Sequence, residues 1–313
     1  MSTSPQQAIG GASPHLALDP LADLPLRRPS RSLWTYLPLV ISIAVFAAAI
    51  AQLRHLHVGD LATLLPRGPA FWLVFAGAYL AQPVADWIIF HRLWNLPAAG
   101  IVPLLRKFVA NELVLGYSGE LYFYAWARRH SRLTAAPFGA VKDVTVLSAL
   151  TGNAATLLLL VLAFPLWKEI GLARAGGAVS LSVAFLLLTS VAMLLLRTRL
   201  FTLPRRELWM VAAVHTGRIL LVTGFTALLW HLCLPAVGIA WWVLLATLRA
   251  LVSRLAFLPN KDVAFAGIAV FLIGHDVEIG ALMTLIAGLI VAAHVAVGTV
   301  LAATELAERR AAR

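Results

Sequence analysis

The chain contains one cysteine, Cys233, in 313 residues. A single thiol excludes an intrachain disulfide and any metal site built on several thiolates. Charge is scarce as well: 12% of residues are Asp, Glu, Lys or Arg, against 61% hydrophobic. The mean hydropathy of +0.86 puts the chain outside the range of soluble globular domains. Acids are rarer than bases, 14 against 25, for a formal net charge of +11. In a soluble chain that excess would suggest nucleic acid. Here it is read through the positive-inside rule, with cations beside anionic lipid, and no nucleic-acid partner is expected. The chain has no HExxH, no GxSxG, no P-loop and no GxGxxG opening a helix. The paired aspartates that lipid phosphotransferases carry in a D-G-x-x-A-R setting are also missing. No metal, cofactor or recognisable enzymatic machinery is therefore expected. Residues 1–32 carry Ser, Pro, Gln and Gly without an apolar core, so a disordered cytoplasmic tail is expected there rather than a secretory signal peptide.

Long uncharged runs are abundant. Leu33–Leu53 is the first, and comparable runs recur at Val144–Trp167, Ala175–Leu196 and Ile279–Thr304. A helix needs about 20 apolar residues to cross the hydrocarbon core. Barrel strands would alternate polar and apolar residues, and these runs do not. The expectation is an all-α polytopic membrane protein of seven or eight transmembrane helices, with one or two re-entrant or broken ones. It places a helical transmembrane domain over residues 33–304, between cytoplasmic tails at 1–32 and 305–313.

Charge orients these spans. Arg27, Arg28 and Arg31 precede the first span, which puts the N-terminus inside. The second span, about Ala70–Trp94, returns to Arg92, Arg106 and Lys107. Another basic cluster follows at Arg128, Arg129 and Arg132. A single crossing between the two clusters would leave one outside, whereas a re-entrant hairpin over Leu104–Trp126, broken at Gly116–Gly119, keeps both inside. Further spans are expected at Lys142–Trp167, Ala178–Leu196, Leu208–His231, Ile239–Leu258 and Ile279–Thr304. A short segment, Val263–Gly274, precedes the last one, and the C-terminus lies inside near Arg309, Arg310 and Arg313. Eight tryptophans (Trp34, Trp72, Trp94, Trp167, Trp209, Trp230, Trp241 and Trp242) fall at proposed span ends, where indoles anchor at the headgroup level.

Polar residues at membrane depth are costly, about 2.5–3.5 kcal/mol for Arg, Lys or Asp at a helix centre, so they mark candidate sites. One group is Asn111, Glu112, Gly116, Ser118, Gly119 and Glu120 on the hairpin. Its glycines permit a sharp break and close approach of a ligand. These carboxylates either line a cavity or are solvated near the surface. A second group is cationic: His215 and Arg218 on one helix face, then Arg249, Arg254, Lys261 and Asp262. These cations either bind an anionic headgroup or neutralise Glu112, Glu120, Asp86 or Asp143. Arg254 and Lys261 could instead snorkel to the interface. Asp143 has a structural explanation at a helix N-terminus, and the lone His294 reads as a packed, hydrogen-bonded residue.

The order of these features is similar to that of a known family. Trp87–Trp94 precedes Leu104–Glu112, then Gly116-Tyr-Ser-Gly119-Glu120, the basic turn Arg128–Arg132, and Val141-Lys-Asp143. This resembles the flippase-like membrane region of lysylphosphatidylglycerol synthases, specifically the stand-alone members without the aminoacyl-transferase domain, over roughly Ser32–Glu308. Leu258-Pro259-Asn-Lys-Asp262 falls where the family has a late Leu-Pro-Gly-rich turn. Phe123 stands where the family often has Arg, and the late glycines are absent. The resemblance implies a bacterial-type inner-membrane protein that binds, and in its fuller form flips, a lipid or lipid-linked headgroup. The binding residues would be Asn111, Glu112, Gly116, Gly119, Glu120, Arg218, Arg249 and Lys261. The alternatives are a membrane-embedded transferase on a polyprenyl-phosphate or lipid substrate, and a non-catalytic scaffold. The identity of the lipid and the oligomeric state are left open.

Overall fold

The backbone amides of an apolar chain at membrane depth have no water to bond and must find partners along the helix. A computed structural model of the protein describes residues 68–113, 117–129, 137–163, 184, 188, 191, 201–254, 261–273 and 277–311, and their regular structure is entirely helical. The tail 1–32, the span expected at Leu33–Leu53 and nearly all of Ala178–Leu196 lie outside the described residues. The elements are α1 (Pro69–Trp94), a 3-10 turn (Ala98–Gly100), α2 (Ile101–Leu113), α3 (Ser118–Arg129), α4 (Pro137–Ala163), α5 (Arg205–Cys233), α6 (Ile239–Ser253), α7 (Lys261–Ile273) and α8 (Val277–Ala311). Local sequence sets several ends. Pro69 sits in the first turn of α1, where its missing N–H costs nothing. Asn95 closes the same helix in the left-handed region (φ 54°), its N–H donating to the His91 carbonyl at 2.8 Å.

Among the described residues four stretches are long and apolar enough to cross a membrane: Pro69–Trp94, Phe138–Leu162, Arg205–Cys233 and Glu278–Thr304. This compares with seven or eight crossings expected over the whole chain. The other helices hold 13, 12, 15 and 13 residues (α2, α3, α6 and α7). At 1.5 Å per residue each reaches roughly 18–23 Å, short of a core about 30 Å thick. The stretch Leu104–Trp126 is thus two short helices, α2 and α3. The expected span Ile239–Leu258 differs: α6 stops at Ser253, and the Arg254 N–H closes it on the Leu251 carbonyl. The segment expected at Val263–Gly274 is α7. Helix α4 begins at Pro137 rather than Lys142, which puts Lys142 and Asp143 inside the helix instead of at its N-terminus.

The order long, short, short, long occurs twice, as α1–α4 and α5–α8. Helices α1 and α5 pack antiparallel. Phe71 shares a core with Leu229 and Trp230, the Phe225 ring lies against Gly77, and Ile89 and Phe90 share a core with Val211. The second set is therefore inverted relative to the first. The cross-packing has the same sense in both halves. Helix α2 lies antiparallel to α8, with Arg106 donating to the Leu301 carbonyl at 3.1 Å and Val109 against Gly298. Helix α6 lies antiparallel to α4, with Thr247 donating to the Leu159 carbonyl at 3.2 Å and Arg254 against Gly152.

Two apolar cores result. One joins the start of α1 and the end of α5 to α6, α7 and α8 through Phe71, Trp230, Trp242, Leu245, Phe265 and Leu282. The other joins the opposite ends of α1 and α5 to α2, α3 and α4 through Ile89, Phe90, Leu104, Phe123 and Val144. Trp94, Trp230 and Trp242 are buried in these cores, so they are packing residues and not the interface anchors expected. Trp72 and Trp209 are exposed, while Trp34 and Trp167 lie outside the described residues. Leu73, Val161 and Leu220 point outward, as hydrocarbon-facing side chains do.

The antiparallel pairing of α1 and α5 places their C-terminal ends on opposite sides of the membrane. In a Cys233→Ser background, single cysteines at the exposed positions Ala98 and Ala236 should react from opposite sides with an impermeant thiol reagent. Only one of the two should label in intact cells. Equal labelling of both would contradict the inversion.

Candidate functional site

Between the two cores lies a cavity of about 530 Å³. The α2–α3 tip contributes Lys107, Asn111, Glu112, Tyr117 and Glu120, and the α6–α7 tip contributes Arg249, Ser253, Arg254, Lys261 and Asp262. The long helices add Asp86, Ser148, His215, Arg218 and His294. Six residues expected from the sequence therefore meet around one space: Asn111, Glu112, Glu120, Arg218, Arg249 and Lys261. Gly119 lies behind the lining, and Gly116 falls outside the described residues.

The first tip is built by close packing of α2 on α3. Ser118 Oγ donates to the Ala110 carbonyl at 2.9 Å, and the Gly119 amide donates to Asn111 Oδ1 at 2.7 Å. Asn111 Nδ2 then donates to Glu120 Oε1 at 3.2 Å. A methyl group on Gly119 would overlap the Lys107 carbonyl, which is backbone and cannot give way. The expected role of Gly119, approach of a ligand, is thus taken by approach of the neighbouring helix. Tyr117 lines the cavity in the left-handed region, φ 72°, a conformation costing a non-glycine residue about 1–3 kcal/mol.

Ion pairs organise much of the charge. The buried Lys107 ammonium lies 2.8 Å from Asp86 Oδ2 and 3.5 Å from Glu120 Oε1. Glu120 therefore faces Lys107 and not Arg218 or Arg249, the partners expected for it. Its Oε2 is buried without a hydrogen-bond partner among the described residues. Arg249 Nε donates to Asp262 Oδ1 at 2.7 Å, so this arginine neutralises an acid. Glu112 is half-buried in the lining, within electrostatic reach of Asp262, Lys261 and Arg249. His215 is buried, with Nε2 3.2 Å from the Val144 carbonyl, and His294 Nδ1 lies 3.1 Å from the Tyr79 hydroxyl.

Two residues depart from the sequence reading. Asp143 Oδ2 accepts from the Thr202 and Leu203 amides, both at 2.7 Å, and from Thr202 Oγ1 at 3.0 Å. It fastens the entry to α5 and does not serve the α4 N-terminus. Arg254 does not snorkel to an interface but packs against Gly152 at the cavity wall. Arg254 thus lines the cavity, as the headgroup-binding alternative weighed for it requires, while sequence reasoning missed the Asp86–Lys107 pair as a site component. A usable signal for Lys107 was present: it lies one helical turn from Asn111, on the same face of α2. Phe123 is fully buried among Phe90, Trp94 and Trp126. An arginine there would face aromatic rings and no cavity.

Among the described residues no three His, Cys, Asp or Glu side chains cluster closely enough to hold a metal ion. The site offers charge and hydrogen bonds held at fixed positions. Comparison of the chain with protein-family models, curated proteins and solved structures finds no match.

Gly119→Ala should destabilise the protein by more than about 3 kcal/mol, because the clash is with backbone. Gly217→Ala, with open space around it, should change stability by about 1 kcal/mol or less. Thermal unfolding in detergent compares the two, and equal effects would contradict the close approach at the tip. Lys107→Met should cost about 3–5 kcal/mol by leaving Asp86 buried and unpaired. Adding Asp86→Leu should recover much of that loss, and a double variant no more stable than the single one would rule out the pair as the cause.

Proposed function

We propose that this protein binds the polar headgroup of a lipid or lipid-linked molecule and carries it across a bacterial-type inner membrane. The activity is of the kind implied by its resemblance to the flippase-like region of lysylphosphatidylglycerol synthases. The observation that carries this reading is the meeting of two short-helix tips around one polar cavity. Only the headgroup needs such a site. The tail stays in hydrocarbon, so the protein has to lower the cost of moving the polar part alone. A cavity of about 530 Å³ falls within the usual size of small-molecule sites, roughly 300–1,000 Å³. Inverted sets with broken helices at the centre also supply two equivalent gates, one for each side.

The corresponding topology counts α1, α4, α5 and α8 as crossings, along with the apolar runs Leu33–Leu53 and Ala178–Leu196 expected to span from the sequence. The α2–α3 hairpin enters from the cytoplasm and α6–α7 from the opposite side. Both termini are then cytoplasmic, and Arg92, Arg128 and Arg132 lie on the cytoplasmic side, as the positive-inside rule requires. Support for Glu120 as a working residue comes from its place at a tip and from its unpartnered buried oxygen.

Reconstitution into vesicles carrying head-labelled phospholipid, with an impermeant quencher outside, tests the proposal. Wild-type protein should expose label from the inner leaflet. Glu120→Gln should slow that exposure by about tenfold, equivalent to roughly 1.4 kcal/mol, with insertion unchanged. Full-rate exposure by a normally inserted Glu120→Gln variant, or none by the wild type, would turn the reading toward a scaffold.

A further inference from the structure

The charges that remain after pairing define a narrower ligand class, and this step rests on the headgroup-binding reading above. The cavity is lined by four acids, Asp86, Glu112, Glu120 and Asp262, and by five non-histidine cations, Lys107, Arg218, Arg249, Arg254 and Lys261. Lys107 is held by Asp86 and Glu120, and Arg249 by Asp262. Lys261 has Glu112 as its strongest electrostatic neighbour. Among the described residues neither Arg218 nor Arg254 makes an ion pair with a carboxylate.

These two guanidinium groups reach the same stretch of α4. Arg218 Nη2 donates to Ser148 Oγ at 3.3 Å, and Arg254 packs against Gly152. Ser148 and Gly152 are one turn apart on α4, so their side-chain positions are about 5–6 Å apart on one face. The two charges are within electrostatic reach and oppose each other. Asp86, already bonded to Lys107, is the carboxylate within electrostatic reach of Arg218. Arg254 Nε and Nη2 both donate to the neighbouring Ser253 Oγ, at 3.2 and 3.0 Å, and among the described residues Arg218 Nε is buried without a hydrogen-bond partner. Like charges packed together away from bulk water persist where an anion joins them.

We infer that Arg218 and Arg254, on the Ser148–Gly152 face of α4, form a phosphate site whose ligand is the terminal phosphomonoester of a lipid. Two guanidinium forks match a group with three free oxygens. A phosphomonoester presents three such oxygens, with about −1.5 to −2 charges near neutral pH, whereas a phosphodiester presents two and leaves fewer acceptors for the two forks. The Ser148 hydroxyl supplies a further polar contact at the same place.

Full-length protein in phosphatidylcholine nanodiscs, doped equally with phosphatidic acid and phosphatidylglycerol, provides the test, with retained lipid counted by mass spectrometry after delipidation. Phosphatidic acid should be retained at least tenfold over phosphatidylglycerol. Arg218→Lys and Arg254→Lys keep the charge but lose the fork, and each should reduce that preference about tenfold. Gly152→Ala should reduce it too, by displacing the Arg254 fork with every charge in place. Arg206→Gln, at an exposed position outside the cavity, should leave it unchanged. Equal retention of the two lipids, or an unaltered preference in both arginine variants, would overturn the site. Displacement of phosphatidic acid by equimolar inorganic phosphate would overturn the lipid assignment in favour of free phosphate. Equal retention alongside continued movement of labelled lipid in vesicles would leave the transport reading standing and remove only the phosphomonoester assignment. Loss of lipid movement in the wild type would count against both.

Discussion

Lys107 holds the first hairpin to the rest of the protein. Its ammonium contacts Asp86 on α1 and Glu120 on α3, from a helix too short to cross the membrane. Burying such charges costs several kcal/mol per ion, and the cost is offset only while all partners stay in place. The pairing therefore fixes the position of the tip more than it adds stability. Asn111, one turn further along α2, extends the same constraint by accepting from Gly119 and donating to Glu120. Moving α3 away from α2 would break these contacts together.

The second hairpin is tied differently. Arg249 and Asp262 join α6 to α7 across the tip, so the pair holds the two short helices to each other rather than to a long helix. Its contacts to long helices include aromatic packing of Trp230, Trp242 and Phe265 and the Thr247 hydrogen bond to the Leu159 carbonyl on α4. The two halves share an order of elements and a packing sense, and both hairpins pack into apolar cores, but only the first has a lysine paired with a long-helix carboxylate.

The cavity exists because two cores were built instead of one. Each hairpin packs into its own core at opposite ends of the α1–α5 pair, and the polar tips occupy the gap between them. This explains how so many charged groups are kept at membrane depth. They face one another or the cavity, while the outward surface carries side chains such as Leu73 and Leu220.

Hydropathy and charge sufficed to predict a helical membrane protein, the break near Gly116–Gly119, and most of the polar residues that line the cavity. These properties are local: uncharged length, glycine at a turn, and ionisable groups in apolar surroundings follow from composition over a few turns. Tertiary structure decided the partners. Arg249 and Arg254 are alike in sequence, but only Arg249 has Asp262 beside it, while Arg254 reaches Gly152 on a helix a hundred residues away in the chain. Asp143 looked like a helix-end acid and proved to bind the 202–203 backbone. Trp94, Trp230 and Trp242 looked like interface anchors and proved to be core. Each of these outcomes depends on which helix faces which, and the inverted packing of α1 on α5 sets that through contacts between residues far apart in the chain.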